Sequence, residues 1–141
     1  MTLAERLLAL ALLAQLVWTF AVMLSAGWVR KQAVEAGEAP KTALLNPYGW
    51  PEAAQKIANN MNNQFETPTL FYALGLLALV LKQVSLPFAV VAWIYVVARV
   101  LHTLEHAGPN RISRRFPAFF AGVVALMVMT AMLAAWVLFA G

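Results

Sequence analysis

Seven side chains could do chemistry together: Asn59, Asn63, Glu66, Arg99, His102, His106 and Arg114. Glu66 stands beside Pro68, immediately before an apolar run from Thr69 to Leu81. That run is too short to cross a bilayer alone, since a spanning helix needs about 20 residues. The crossing must therefore take in the polar residues before it. An ionisable group within a spanning helix is a functional-site hypothesis, and its partner must be named. On a continuous helix Asn59, Asn63 and Glu66 fall at i, i+4 and i+7 and share a face. Tyr95, Arg99, His102 and His106 form a second stripe by the same spacing. At 1.5 Å per residue, Glu66 lies roughly 22 Å from Leu81 and Arg99 roughly 20 Å from Leu86, so the two charges reach one level from opposite chain directions. The expectation is a Glu66–Arg99 pair that neutralises both groups below the headgroups. The alternative is that these polar groups act only as glue between helices.

The composition sets the medium for this chemistry. The chain has 141 residues, 62% of them hydrophobic and 11% charged, which is a membrane composition. The length suits one domain. There is no cysteine, so disulfides, thiolate nucleophiles of the chain's own and Cys-ligated metals are excluded. The net charge of +4 reads as a topology signal, and no nucleic-acid partner is expected.

Four spans position the polar residues: an all-α, integral membrane four-helix bundle with helices at about 7–29, 51–81, 86–107 and 116–140. The first run competes with a signal peptide, but it exceeds the roughly 7–15 residues of such an apolar region, and no small-x-small cleavage site precedes a soluble domain. Residues 30–50 read as a loop. Pro51 and Glu52 suit the start of the second helix, Ser85 an N-cap for the third, and Gly108-Pro109 its end. Four crossings put both termini on one side. Arg30, Lys31, Lys41, Lys56, Arg111, Arg114 and Arg115 flank the other side, against Arg6 and Lys82. Basic residues collect in the cytoplasm, so loops 30–50 and 108–115 are expected there, with the termini opposite, as in a bacterial inner-membrane protein.

Three arginines open the fourth helix, whose amino end already favours anions. They read equally as topology determinants resting on lipid headgroups. Ala118, Ala121, Gly122 and Ala125 line one face and permit close helix approach. Met127, Met129 and Met132 read as packing, and the five tryptophans as anchors. His102-Thr103-Leu104-Glu105-His106 matches the H-x-x-E-H zinc-peptidase pattern, but a third ligand is wanting and no Asp or Glu follows Glu105. No metal is expected.

The residues Asn63-x-x-Glu66 with Pro68, then Tyr95-Val96-Val97-Ala98-Arg99-Val100-Leu101-His102, then Arg114-x-x-Pro117, resemble the MAPEG family, membrane-associated proteins in eicosanoid and glutathione metabolism. The resemblance covers most of the chain and looks closest to uncharacterised bacterial members. It implies a homotrimer and a glutathione co-substrate held between subunits near the cytoplasmic membrane edge. Carried over by position, Asn63, Glu66 and Arg99 would contact the tripeptide. Arg114 would stabilise its thiolate as the catalytic cation, and a hydrophobic small molecule would arrive laterally from the bilayer. Asn59 stands where family enzymes usually carry Arg, and His102 and His106 stand where two tyrosines follow the helix-three Arg. The function implied is glutathione-dependent transfer or peroxide reduction on apolar electrophiles. The alternatives are a non-enzymatic membrane assembly or ligand-binding protein of the same fold, and a small proton-coupled transporter using Glu66.

Overall fold

A computed structural model of the protein describes residues 1–46, 48–107 and 112–139, the side chains of Lys41, Leu44, His106, Ala107, Ile112 and Arg114 excepted. Its helices are α1 (Leu3–Glu35), α2 (Glu52–Asn62), α3 (Thr67–Val80), α4 (Leu86–Ala107) and α5 (Ile112–Phe139), with a single 3-10 turn at Lys41–Leu44. Among the described residues there is no strand. The helices make a four-column bundle in which α2 and α3 together form the second column. α4 is the central element, packed most extensively on α5 and then on α1.

α1 is longer than the apolar run alone implies. Thr2 caps its start reciprocally: its hydroxyl accepts from the Glu5 N–H at 3.2 Å, and its own N–H donates to the Glu5 carboxylate at 2.7 Å. At the far end the helix continues past Arg30 and Lys31, supported by a Lys31–Glu35 pair at 3.6 Å. It stops at Gly37, whose φ of +70° lets Gly37 N–H and Glu38 N–H close onto the carbonyls of Val34 and Ala33. α5 likewise begins before Pro117, which lies inside the helix.

The stretch expected as one helix over 51–81 is broken at 63–66. Pro68 has no N–H to give the carbonyl four residues back, and it disfavours helical backbone at the residue before it. The chain therefore ends α2 at Asn62, turns through Gln64 and Phe65, and restarts at Thr67 with Pro68 in the first turn. α3 ends in the same hydrogen-bond pattern as α1, with Lys82 rather than glycine in the left-handed conformation at φ +56°.

The surface is inverted relative to a water-soluble bundle. Leu10, Leu13, Val17, Phe20 and Leu24 on α1 are exposed, as are Leu70, Leu76, Ile94, Val97, Leu101, Phe120 and Met127. Exposed apolar area of this extent needs lipid or another protein surface against it. Leu3–Glu35, Leu86–Glu105 and Arg115–Phe139 are each long and apolar enough to cross a membrane. The core of the bundle is small-and-large: Ala11, Ala78, Ala89 and Ala92 against Leu8, Phe71, Phe88, Tyr95 and Met129. Gly75 allows the closest approach, because a Cβ there would stand 2.7 Å from Leu12 Cδ2.

Candidate functional site

The break between α2 and α3 governs the polar end of the bundle. Ending α2 at Asn62 leaves its last carbonyls without intrahelical partners, and this end of the helix dipole is negative. Arg99, on α4, meets it. Its Nη2 donates to the Asn63 carbonyl at 2.7 Å, and the side chain is 1% exposed. The expected Glu66–Arg99 ion pair does not form. Glu66 is exposed at the cap of α3 and makes no ion pair within 4.0 Å, although its charge still acts on Arg99 at longer range. The cause is the break itself: the turn at 63–66 carries Glu66 off the stripe of a continuous helix and puts a backbone carbonyl where the carboxylate was expected. Two further donors of Arg99, Nε and Nη1, are buried with no acceptor.

Each described residue of the α4 stripe engages a neighbouring element. Tyr95 is fully buried, stacks on Phe71 at 4.4 Å between centroids and donates its hydroxyl to Thr67 Oγ at 3.1 Å, where α3 begins. Gly122 of α5 lies beside its ring, where an added Cβ would stand 3.7 Å away, in ordinary van der Waals contact. Arg99 holds the break. His102, also buried, pairs its Nδ1 with the Arg115 carbonyl at 3.3 Å and tilts against Phe119 at 5.6 Å. A carbonyl only accepts, so this contact places a proton on Nδ1. The stripe thus ties the starts of α3 and α5 and the end of α2 to α4.

The other expected residues are less gathered. Asn59 is exposed and its amide oxygen accepts from Gln55 Nε2 at 2.9 Å. Asn63 is half-buried as the C-cap of α2. The side chains of His106 and Arg114 lie outside the described residues, as does Arg111. Among the described residues no three His, Asp or Glu side chains are gathered as a metal centre requires. At the rim, Lys56 lies 2.7 Å from Glu52, and its hydrogen bond and charge hold that carboxyl below the usual carboxylate range. Arg30 covers the Trp50 ring at 5.0 Å, joining the end of α1 to the loop that leads into α2.

A second polar layer was not anticipated. Gln15 Nε2 donates to Gln64 Oε1 at 3.3 Å, and Gln64 Nε2 donates to Thr103 Oγ at 3.1 Å, linking α1, the break and α4. All three side chains are buried, together with Asn60. The signal for it was in the sequence: Gln15 is an amide inside an apolar span, where a polar group needs an interhelical partner.

The MAPEG family profile matches residues 8–135, nearly the whole chain. The chain belongs to the MAPEG family. It matches no curated protein and no solved structure. Family membership and the apolar helices make this an integral membrane protein with a bilayer as its surroundings.

Proposed function

We propose that this MAPEG protein is a glutathione-dependent transferase or peroxidase acting on apolar electrophiles, with its polar site on the cytoplasmic side. The observation that carries the reading is Arg99: a buried guanidinium with two unbonded donors, beside a helix break that presents Glu66 and Asn63. The donor and acceptor set suits a tripeptide with two carboxylates and one amino group. Glu66 is the acceptor for the amino group, and arginine is the residue type that grips carboxylates through paired N–H groups. Asn59, Asn63, His102 and His106 complete the set by the family correspondence. When bound, glutathione supplies the thiol nucleophile that this cysteine-free chain lacks.

The chain's own part is to bind, to orient and to hold charge. Arg114, the family's cation at the start of α5, lowers the cost of a thiolate beside it. Arg99 keeps the break at 63–66 in register with α4, so that Glu66 is offered outward. The exposed apolar faces of α4 and α5 give a lipid-borne substrate lateral access. The basic residues at the α1 end and the α5 start orient this end toward the cytoplasm, and a homotrimer is the family assembly.

The test is equilibrium binding of glutathione to the purified protein, with 1-chloro-2,4-dinitrobenzene and a lipid hydroperoxide as activity probes. Saturable binding that weakens at least tenfold in Arg114→Ala and in Glu66→Gln is the expected result. Absence of binding at millimolar glutathione by a folded protein would replace this reading with a non-enzymatic assembly or ligand-binding protein of the same fold.

A further inference from the structure

Toward its carboxyl end, the outer face of α1 carries a groove of about 800 Å³. Gly27 lies in it, and Leu24, Trp28 and Lys31 stand around it at helical spacing. Leu24, Trp28 and Lys31 are all exposed. A Cβ at Gly27 would meet nothing within 4 Å, so no packing contact asks for glycine there, and glycine weakens a helix interior. What the missing side chain leaves is a notch beside the indole. The apolar run of α1 ends at Val29, roughly 33 Å from Leu7 at 1.5 Å per residue, which matches a hydrocarbon layer of about 30 Å. Leu24 and Gly27 therefore lie at the depth of acyl chains, Trp28 at their edge and Lys31 at the headgroups. Lys31 is the one charged side chain lining the groove among the described residues. The Ser25 hydroxyl, also there, already donates to the Ala21 carbonyl at 2.7 Å, and neighbouring Arg30 is turned onto Trp50. Lys31 Nζ stands 5.7 Å from the centre of the Trp28 ring and 3.6 Å from Glu35 Oε1. The Lys31 and Glu35 side chains are 63% and 64% exposed, so their pairing is weak and open to exchange.

We infer that this groove holds a phosphatidylethanolamine, with an acyl chain in the Gly27 notch, its phosphate on Lys31 and its ammonium on Glu35. The order of charges selects the headgroup. Glu35 is one turn, roughly 6 Å, beyond Lys31 on the side away from the hydrocarbon. Phosphatidylethanolamine presents its phosphate and then its ammonium in that same direction. Lys31 donates to a phosphate oxygen and the lipid ammonium donates to the Glu35 carboxylate, so each partner of the weak pair exchanges the other for a charge of the lipid. Phosphatidylglycerol would suit Lys31 but set a second anion beside Glu35 with no cation between them. The ammonium of phosphatidylcholine carries no N–H to donate. Diacylglycerol offers neither charge. The site uses no residue of the glutathione set, and its test contains no glutathione.

The full-length protein in phosphatidylcholine nanodiscs is photolabelled with a phosphatidylethanolamine bearing a diazirine in one acyl chain, and labelled peptides are mapped by mass spectrometry. Saturable labelling is expected on α1 around Leu24, Gly27 and Trp28. Unlabelled phosphatidylethanolamine should displace it at a mole fraction about three to five times below that needed of phosphatidylglycerol, the discrimination that one exposed ion pair supplies. Glu35→Gln should remove that preference while labelling persists. Lys31→Gln should weaken labelling about threefold to fivefold by the same measure. Gly27→Leu should abolish it by filling the notch, and because a side chain at Gly27 meets nothing the fold stays intact. Equal displacement by phosphatidylglycerol, a preference that survives Glu35→Gln, undiminished labelling of Gly27→Leu, or no saturable labelling at all would overturn the proposal. The last outcome would mean that bulk lipid or a neighbouring subunit covers this face of α1.

Discussion

Near the α3–α4 turn, Leu8, Ala78, Phe88, Ala89, Ala92 and Leu133 pack with no polar side chain among them. Toward the other end the same helices bury Gln15, Asn60, Gln64, Arg99, His102 and Thr103. The first region coheres mainly by shape, with one interhelical hydrogen bond described at its edge, from Trp93 Nε1 to the Leu7 carbonyl at 3.1 Å, because lipid tails are as apolar as leucine and give little hydrophobic drive between helices. In the second, the end of α2 and the starts of α3 and α5 are each pinned to a particular residue of α4 by a hydrogen bond. The difference teaches that one end sets how closely the helices pack, while the other sets which residues face which. The proposed function belongs with the second, since a tolerant packing surface cannot hold a small polar ligand in one pose.

Substitutions separate the two regions by size of effect. Phe71→Ala, at a fully buried ring stacked on Tyr95, should cost about 3–5 kcal/mol, read as a shift in unfolding by steric trapping. Gly75→Leu forces atoms into Leu12 and should cost about 1–3 kcal/mol by the same measure. If Gly75→Leu were neutral, the packed end would be looser than its geometry indicates. Gln64→Leu removes two interhelical hydrogen bonds and should cost only about 1 kcal/mol, since such bonds average near 0.6 kcal/mol in membranes. A double-mutant cycle with Gln15→Leu should return a measurable coupling, and zero coupling would deny that the amide chain acts as a unit. Lys82→Gly, at a left-handed cap filled by glycine at the matching position of α1, should stabilise the fold by about 0.5–1 kcal/mol.

Much of this was legible before any coordinates. The spans of α1, α4 and α5 follow from apolar runs, and the all-helical membrane fold follows with them. Tyr95, Arg99 and His102 were placed on one stripe by spacing alone, and each does engage a neighbouring element. The partner of Arg99 was not legible, because periodicity carries on through a proline that the backbone does not. Pro68 was visible, yet its consequence is a turn whose freed carbonyl, rather than a side chain, meets the guanidinium. Backbone acceptors leave no mark in composition. Gln15 and Gln64 were equally visible, but they are 49 positions apart, and only the packing of α1 against the break brings them together.

The interrupted second column has a consequence for the surrounding lipid. α3 has 14 residues, roughly 21 Å at 1.5 Å per residue, against a hydrocarbon layer of about 30 Å. The remainder of that column is amide-rich and unsuited to contact with acyl chains. Acyl chains beside it must therefore splay or shorten, or another protein surface must stand in their place. Membranes of different thickness will load the turn at 63–66 differently, and through the Asn63 carbonyl that load reaches the buried Arg99.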